Sequence, residues 1–220
     1  LEASGKGQAQ PYQPHRPASY LRKVFTAPAG ESKRLYITAK GLYTAWLNGK
    51  RVGDMVLAPG SFTADKHLGA QTYDVTALVR DGENELLIAL GDGWYRSTSG
   101  GVDGDRDLFG KELTVLFQLE VDGKAVCVSD DAMEATQCGP IRQNDLQQGE
   151  VYDARLEGEL TGWHGVRTAP NTLPLIGMNT VPIREQEAFV GRLFRTPNGE
   201  TVLDFGQNMA GYVEMKLTAH

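Results

Sequence analysis

Cysteine is scarce, with two residues in 220, so no disulfide framework can carry this fold. Cys127 sits among Ala125, Val126 and Val128 and reads as a small buried hydrophobe, whereas Cys138 precedes Gly139-Pro140 as a loop residue. Both are expected as free thiols, with a bridge between them as the alternative if their Cα atoms approach closely enough. Long apolar runs are missing as well; nothing approaches the ~20 residues a bilayer-crossing helix needs, so no membrane span is expected. Basic charge is in deficit, 22 Lys and Arg against 28 Asp and Glu, for a net charge of −6. A chain without a compensating basic stripe is not expected to take nucleic acid as a partner. The four histidines, His15, His67, His164 and His220, have no metal-ligand spacing and support no Ser-His-Asp arrangement. Gly91-x-Gly93 is too short for a dinucleotide fingerprint. Residues 1–17 are polar and lack the apolar centre of a secretory signal.

Turn-forming residues, by contrast, are plentiful: 26 glycines and 10 prolines, in a chain whose hydrophobic content of 40% is ordinary for a folded domain. The organising stretch runs from Gly41 to Gly60. Tyr43, Ala45 and Leu47 alternate with Leu42, Thr44 and Trp46, a period-two pattern, and Asn48-Gly49 then supplies two residues tolerant of positive φ. A hairpin is expected there, with a return strand carried on by Met55 to Leu57. Further strands are expected at residues 20–25, 34–39, 85–90, 113–121 and 125–129, with a tight turn at Asp122-Gly123. Residues 74–79 read as a short helical turn capped by Asp74. Residues 61–71 read as a surface loop and 130–150 as irregular. Two last strands are expected at 201–208 and 211–217. Many short strands with regular turn signals define an all-β class, an antiparallel jelly-roll (galactose-binding-like) β-sandwich. Three domains follow: a poorly ordered leading segment 1–18, a module 19–170, and a linker with first strands of another sandwich at 171–220, marked by Pro170, Pro174 and Pro182.

Four places carry groups fit for chemistry. Gly149-Glu150-x-Tyr152-Asp153-Ala154-Arg155 offers Glu150 and Asp153 as an acid and base pair, since glycoside hydrolysis needs two carboxylates flanking one bond. The favoured alternative is a structural or interface cluster, in which Arg155 pairs with Asp153 or Glu150 and Tyr152 packs beside them. Asp92 and Trp94, on a loop after a core strand, suit a sugar, the indole stacking on its apolar face and the carboxylate taking hydroxyls; alternatively Trp94 and Tyr95 plug one end of the sandwich. Asp103, Asp105 and Asp107 alternate as an oxygen-ligand run for calcium, without the spacing of an EF-hand loop. Asp65, after Pro59-Gly60, is a single-carboxylate candidate for calcium or sugar.

With these stretches in view, the chain resembles the N-terminal region of bacterial α-L-rhamnosidases of glycoside hydrolase family 78. The pieces that carry the resemblance occur in order: Leu47-Asn-Gly-Lys-Arg-Val-Gly-Asp54, Leu57-Ala-Pro-Gly60, Gln71-Thr-Tyr-Asp-Val-Thr76, Gly91-Asp-Gly-Trp-Tyr95, Gly149-Glu-Val-Tyr-Asp-Ala-Arg155 and Asp204-Phe-Gly-Gln-Asn-Met-Ala-Gly211. The resemblance implies a parent enzyme that releases terminal α-L-rhamnose with inversion, through carboxylates in an α/α-barrel downstream. This chain would then be an accessory β-sandwich without catalytic residues of its own, and that barrel its partner. Related modules bind rhamnose with the help of calcium, through an acidic loop after the Pro-Gly. Here that loop reads Ser61-Phe-Thr-Ala-Asp65-Lys66-His67, without the aromatics common in the family and with a lysine that repels a cation. The resemblance requires no cofactor, calcium being the one candidate. Buttressing of the barrel is the expected role, and a calcium-assisted, rhamnose-binding carbohydrate module the alternative.

Overall fold

The structure, a computed structural model, describes residues 16–98, 106–107 and 109–216. It is an all-β protein, and its chain divides into two compact units at Arg184/Glu185. In the first unit β1 (Ser19–Ala27), β2 (Lys33–Lys40), β3 (Leu42–Leu47), β4 (Lys50–Arg51), β5 (Leu68–Asp74) and β6 (Gly82–Gly91) precede a single helical turn, α1 (Gly93–Arg96). There follow β7 (Thr114–Val121), β8 (Lys124–Val128), β9 (Glu134–Thr136), β10 (Ile141–Asp145), β11 (Gly149–Tyr152), β12 (His164–Gly165) and β13 (Leu175–Gly177). One sheet has the order β12-β9-β1-β6-β3-β4, the other β13-β5-β2-β7-β8, and β10 and β11 form a separate hairpin. Neighbours are antiparallel except β13, which lies parallel to β5.

Period-two alternation explains the core. Leu35, Ile37, Ala39, Phe117, Leu119 and Val121 from one sheet, and Phe25, Ala45, Leu47, Leu86, Ile88 and Leu90 from the other, belong to one buried apolar cluster. The fully buried leucines among them contribute about 2 kcal/mol each by leaving water. Outward positions in the same strands, such as Arg34 and Glu85, stay exposed.

The Asn48-Gly49 turn forms as expected, with φ of 51° and 78° at its two residues. Its asparagine does more than permit the turn. The Asn48 amide donates to the Leu78 carbonyl at 2.9 Å and to Asn84 Oδ1 at 2.8 Å, while its own Oδ1 accepts from the Glu85 N–H at 3.1 Å. The hairpin is thereby tied to the start of β6.

The return strand is shorter than its sequence implied. It stops at Arg51, and Met55 makes only an isolated bridge, to Arg184. Gly53 interrupts it: its φ is 67°, and a Cβ there would lie 2.3 Å from the Tyr73 ring. The loop expected over 61–71 ends earlier, because Leu68 and Gly69 are buried in β5, paired with β13. Residues 130–150 hold two short strands, β9 and β10, whose partners lie far along the sequence or are too short to read. Residues 75–79 form a turn, with Asp74 accepting from the Thr76 N–H at 3.0 Å. The first unit runs on past the 170/171 boundary read from the prolines, since β13 joins a sheet of the sandwich.

The second unit contains β14 (Arg192–Arg195) paired with β15 (Thr201–Asp204). Its strands differ from those expected: β15 stops at Asp204, its partner precedes it, and residues 211–216 form no strand. Thr196 and Gly199, with φ of 86°, close the turn between the two strands.

Candidate functional site

The end of β6 feeds the first site. Asp92 precedes α1 with helical φ and ψ, yet its side chain caps no backbone N–H. Its carboxylate is spent on arginines instead. Arg96 Nε donates to Oδ1 at 2.8 Å and Arg106 Nη2 to Oδ2 at 2.9 Å, while Asp92 itself is 1% exposed. Arg106 Nη2 also lies 3.3 Å from Asp145 Oδ2. Asp145 is the best satisfied of the group: Oδ1 accepts from the Gln147 and Gln148 N–H groups at 2.8 and 2.9 Å, and Oδ2 from the Thr98 N–H at 2.8 Å and hydroxyl at 3.1 Å. Burial pushes its pKa up, but these donors outweigh it and hold Asp145 below the ordinary carboxylate value. Two carboxylates and two guanidiniums thus neutralise one another in the interior, a tie between β6, α1, the segment around Arg106 and β10.

This placement corrects the expectation for Asp92. It is buried beneath α1 with both oxygens engaged, so it is not available to contact a sugar. Trp94, two residues on, is 41% exposed. It lines a shallow open cleft together with Lys40, Ser61, Phe62, Tyr95 and Phe109. Gly41, at the junction of β2 and β3, holds the cleft's back wall: with φ of 111°, it would carry a Cβ 2.5 Å from the Gly91 carbonyl oxygen. Asp65 is not among the lining residues; it lies 3.6 Å from Lys66 Nζ on the exposed loop.

The expected calcium run is divided. Asp103 and Asp105 lie outside the described residues. Asp107 is taken by Arg16, whose Nη1 and Nη2 meet its two oxygens at 2.5 and 3.0 Å, and this hydrogen bonding holds its pKa below the ordinary value. Among the described residues, no three His, Cys, Asp or Glu side chains come together to hold a metal ion.

The Glu150–Arg155 segment forms β11 and the 3₁₀ turn Ala154–Leu156. Asp153 caps that turn: Oδ1 accepts from the Arg155 N–H at 3.1 Å and from its Nε at 2.8 Å, and Oδ2 from Nη2 at 2.7 Å. The Arg155 side chain, with that backbone bond, holds Asp153 down to about 2. A general acid needs the opposite shift, so Asp153 is unsuited to protonate a leaving group. The Tyr152 hydroxyl donates to Glu157 at 2.9 Å, and Glu150 stands exposed opposite Asn144. Val151, Tyr152, Leu156 and neighbouring Leu146 each leave large apolar surface in water, Val151 and Tyr152 on opposite faces of β11.

Both cysteines are free, Cys127 buried and Cys138 exposed. Burial pushes the Cys127 thiol up to about 11, which makes it a packing group rather than a nucleophile.

Sequence reading did not find Arg106, Asp145, Lys40, Phe62 or Phe109. The Asp92 and Arg96 pair had a signal, the i,i+4 spacing of a helical turn. The others had none, since their partners are distant in sequence.

The architecture defines the class first: a β-sandwich module with a buried charge tie and an exposed hairpin, in which Asp153 is held ionised. Residues 29–188 match the family model described as Alpha-L-rhamnosidase N-terminal domain, and the chain belongs to that family. It is 37% identical over 217 residues to an α-L-rhamnosidase of Streptomyces avermitilis, covering 91% of this chain and 21% of that protein. Among solved structures, the native α-L-rhamnosidase from Aspergillus terreus superposes with a TM-score of 0.82 at 34% identity, over 92% of this chain and 25% of that one. The Streptomyces avermitilis enzyme complexed with L-rhamnose gives 0.78 at 37%, over 89% and 20%. The chain therefore spans about a fifth to a quarter of the length of these relatives.

Proposed function

We propose that this chain is a non-catalytic β-sandwich region of an α-L-rhamnosidase, a hydrolase that releases terminal α-L-rhamnose from glycosides with inversion. Its role is to support a catalytic α/α-barrel elsewhere in the same parent chain. The observation that carries the reading is the family match over residues 29–188, in a chain only a fifth to a quarter as long as its relatives. The exposed segment Glu150–Leu156, with Tyr152 and Leu156 in water beside the Asp153–Arg155 pair, is the surface offered to that barrel. Residues 185–220 are read as the first strands of a following sandwich. A two-stranded hairpin is marginal by itself, and Leu193 and Phe194 of β14 are exposed. The calcium-assisted alternative would rest on Asp65, which pairs with Lys66 rather than with further carboxylates.

The test is hydrolysis of an aryl α-L-rhamnoside. The 220-residue chain is expected to release no aglycone, and Tyr152→Ala with Arg155→Ala in the parent enzyme to lower its melting temperature by several degrees. Turnover by the isolated chain, abolished by Glu150→Gln, would sink the reading.

A further inference from the structure

The sequence holds two Asn-Gly pairs, Asn48-Gly49 and Asn198-Gly199, and each lies in the turn of a hairpin. Such pairs are prone to deamidate, because glycine puts no side chain in the way of its own backbone nitrogen. That nitrogen attacks the asparagine Cγ. A bond forms between the glycine N and Cγ, the Cγ–Nδ2 bond breaks, and Nδ2 leaves as ammonia with the proton the glycine nitrogen gave up. Water then opens the resulting succinimide to aspartate or isoaspartate. The reaction needs no oxidant and no enzyme, only a carboxamide free to turn toward the nitrogen.

The two carboxamides differ in that freedom. Asn48 Nδ2 donates to the Leu78 carbonyl at 2.9 Å and to Asn84 Oδ1 at 2.8 Å, and Asn48 Oδ1 accepts from the Glu85 N–H at 3.1 Å. Asn84, 2% exposed, is itself fixed. Its Nδ2 donates to the Arg80 and Gly82 carbonyls at 2.8 and 2.9 Å, and its Oδ1 accepts from the Arg80 N–H at 2.8 Å. Freeing Asn48 therefore means pulling it from the start of β6, whose Leu86 and Ile88 are fully buried. Gly49 is exposed, and a Cβ there would meet nothing within 4 Å, so water reaches the pair and the clamp on the carboxamide is what protects it.

Asn198 is exposed, and no hydrogen bond holds its side chain among the described residues. The Gly199 N–H donates to the Thr196 carbonyl at 2.9 Å, a single bond in a two-stranded hairpin whose β14 is exposed throughout. Such a hairpin opens at little cost. The reaction product also matters differently at the two sites. Aspartate at 48 has no donor for the Leu78 carbonyl or Asn84 Oδ1 and sets a carboxylate oxygen against both. Asn84 cannot turn over to help, since its amide is committed to Arg80 and Gly82.

We propose that Asn48-Gly49 is a deamidation site silenced by the fold, and that Asn198-Gly199 is the pair that reacts in the folded chain. Conversion of Asn48 after unfolding keeps the first unit from regaining its full stability. Asn48 thereby records unfolding as a permanent chemical change, independently of the supporting role proposed above.

Incubation of the 220-residue chain in mildly alkaline buffer, folded and in urea, tests it. Trypsin releases Asn48 in the peptide 41–50 and Asn198 in 196–216, and mass spectrometry with fragmentation reads the conversion of each amide to acid. In the folded chain Asn198 is expected to convert at least about tenfold faster than Asn48. In urea the two should convert at comparable rates, Asn48 gaining at least about tenfold over its folded rate. Asn48→Asp, which installs the product, should lower the melting temperature by several degrees or prevent folding, whereas Asn198→Asp should leave it within about a degree. Four results would each overturn the proposal: conversion of Asn48 in the folded chain as fast as that of Asn198, an Asn48 rate that urea does not raise, an Asn198 that stays intact in the folded chain, or an Asn48→Asp variant that melts with the parent chain.

Discussion

Two aspartate–arginine pairs in the first unit have nearly the same geometry and opposite surroundings. Arg96 meets Asp92 at 2.6 Å with side chains 10% and 1% exposed, whereas Arg155 meets Asp153 at 2.7 Å with side chains 89% and 24% exposed. Bond length therefore says little about what either pair contributes. Around Asp92 water is gone, so each charge depends on its partner and on the second pair formed by Arg106 with Asp145. Around Asp153 water reaches the exposed guanidinium and screens the charges, and the two residues are close along the chain. The buried pair is a fastening of the fold. The exposed one shapes a surface.

Three experiments would break or sharpen this contrast. The largest effect is expected for Asp92→Ala, which leaves Arg96 and Arg106 buried without their main counter-charge. A loss of about 3–5 kcal/mol in urea denaturation is expected. A loss under about 1 kcal/mol would place the buried pair with the exposed one and end the distinction; Asp92→Asn, which keeps the shape, serves if the alanine variant does not fold.

Acidification comes next. Asp145, Asp107 and Asp130 all have folded pKa values held below the ordinary carboxylate value; for Asp107 and Asp130 the leading causes are hydrogen bonds from Arg16 and Lys23. A depressed folded pKa contributes stability that is complete above the unfolded value and is lost as pH falls through the folded one. Thermal stability should accordingly be level above about pH 5 and decline below about pH 4, with Asp145→Asn making that decline shallower. A variant that declines as steeply as the parent protein would show that the buried cluster does not couple to protons.

The smallest effect is expected for Asp153→Asn. Although Asp153 is held down to about 2, its partner Arg155 is 89% exposed and only two residues away, so the pair can form in the unfolded chain as well. Melting of the isolated chain should shift by no more than a degree or two. A larger shift would mean that the 3₁₀ turn over Ala154–Leu156 is itself structural.

Much of the sandwich was legible because alternation is local. Leu35, Ile37 and Ala39 declare their inward face within a few residues, and Asn48-Gly49 declares its turn in two; residues 42–47, apolar on both faces, declare a buried strand, of which Tyr43, Ala45 and Leu47 are the fully buried side. The pairing of Asp153 with Arg155 was equally near at hand. What escaped reading depends on distant partners. β9 exists because β1 offers it backbone hydrogen bonds, and β13 because β5 does, yet neither is long enough to announce itself. The return strand after Asn48-Gly49 looked longer than it is because its limit is the Tyr73 ring against Gly53, a contact across the fold.

The division between sequence and tertiary structure is clearest at Gly91-Asp92-Gly93-Trp94. From the sequence alone came the all-β class, the positions of the main strands, the family resemblance and the presence there of an aromatic and an acid, all properties that depend on residues close along the chain. Only the folded chain could separate the two. It turned Asp92 inward, because Arg96, Arg106 and the surroundings of Asp145 provide a neutralised interior for it. It left Trp94 outward beside Lys40, Phe62 and Phe109, from three other parts of the chain. Burial and charge balance are sums over neighbours in space, and no local pattern contains them.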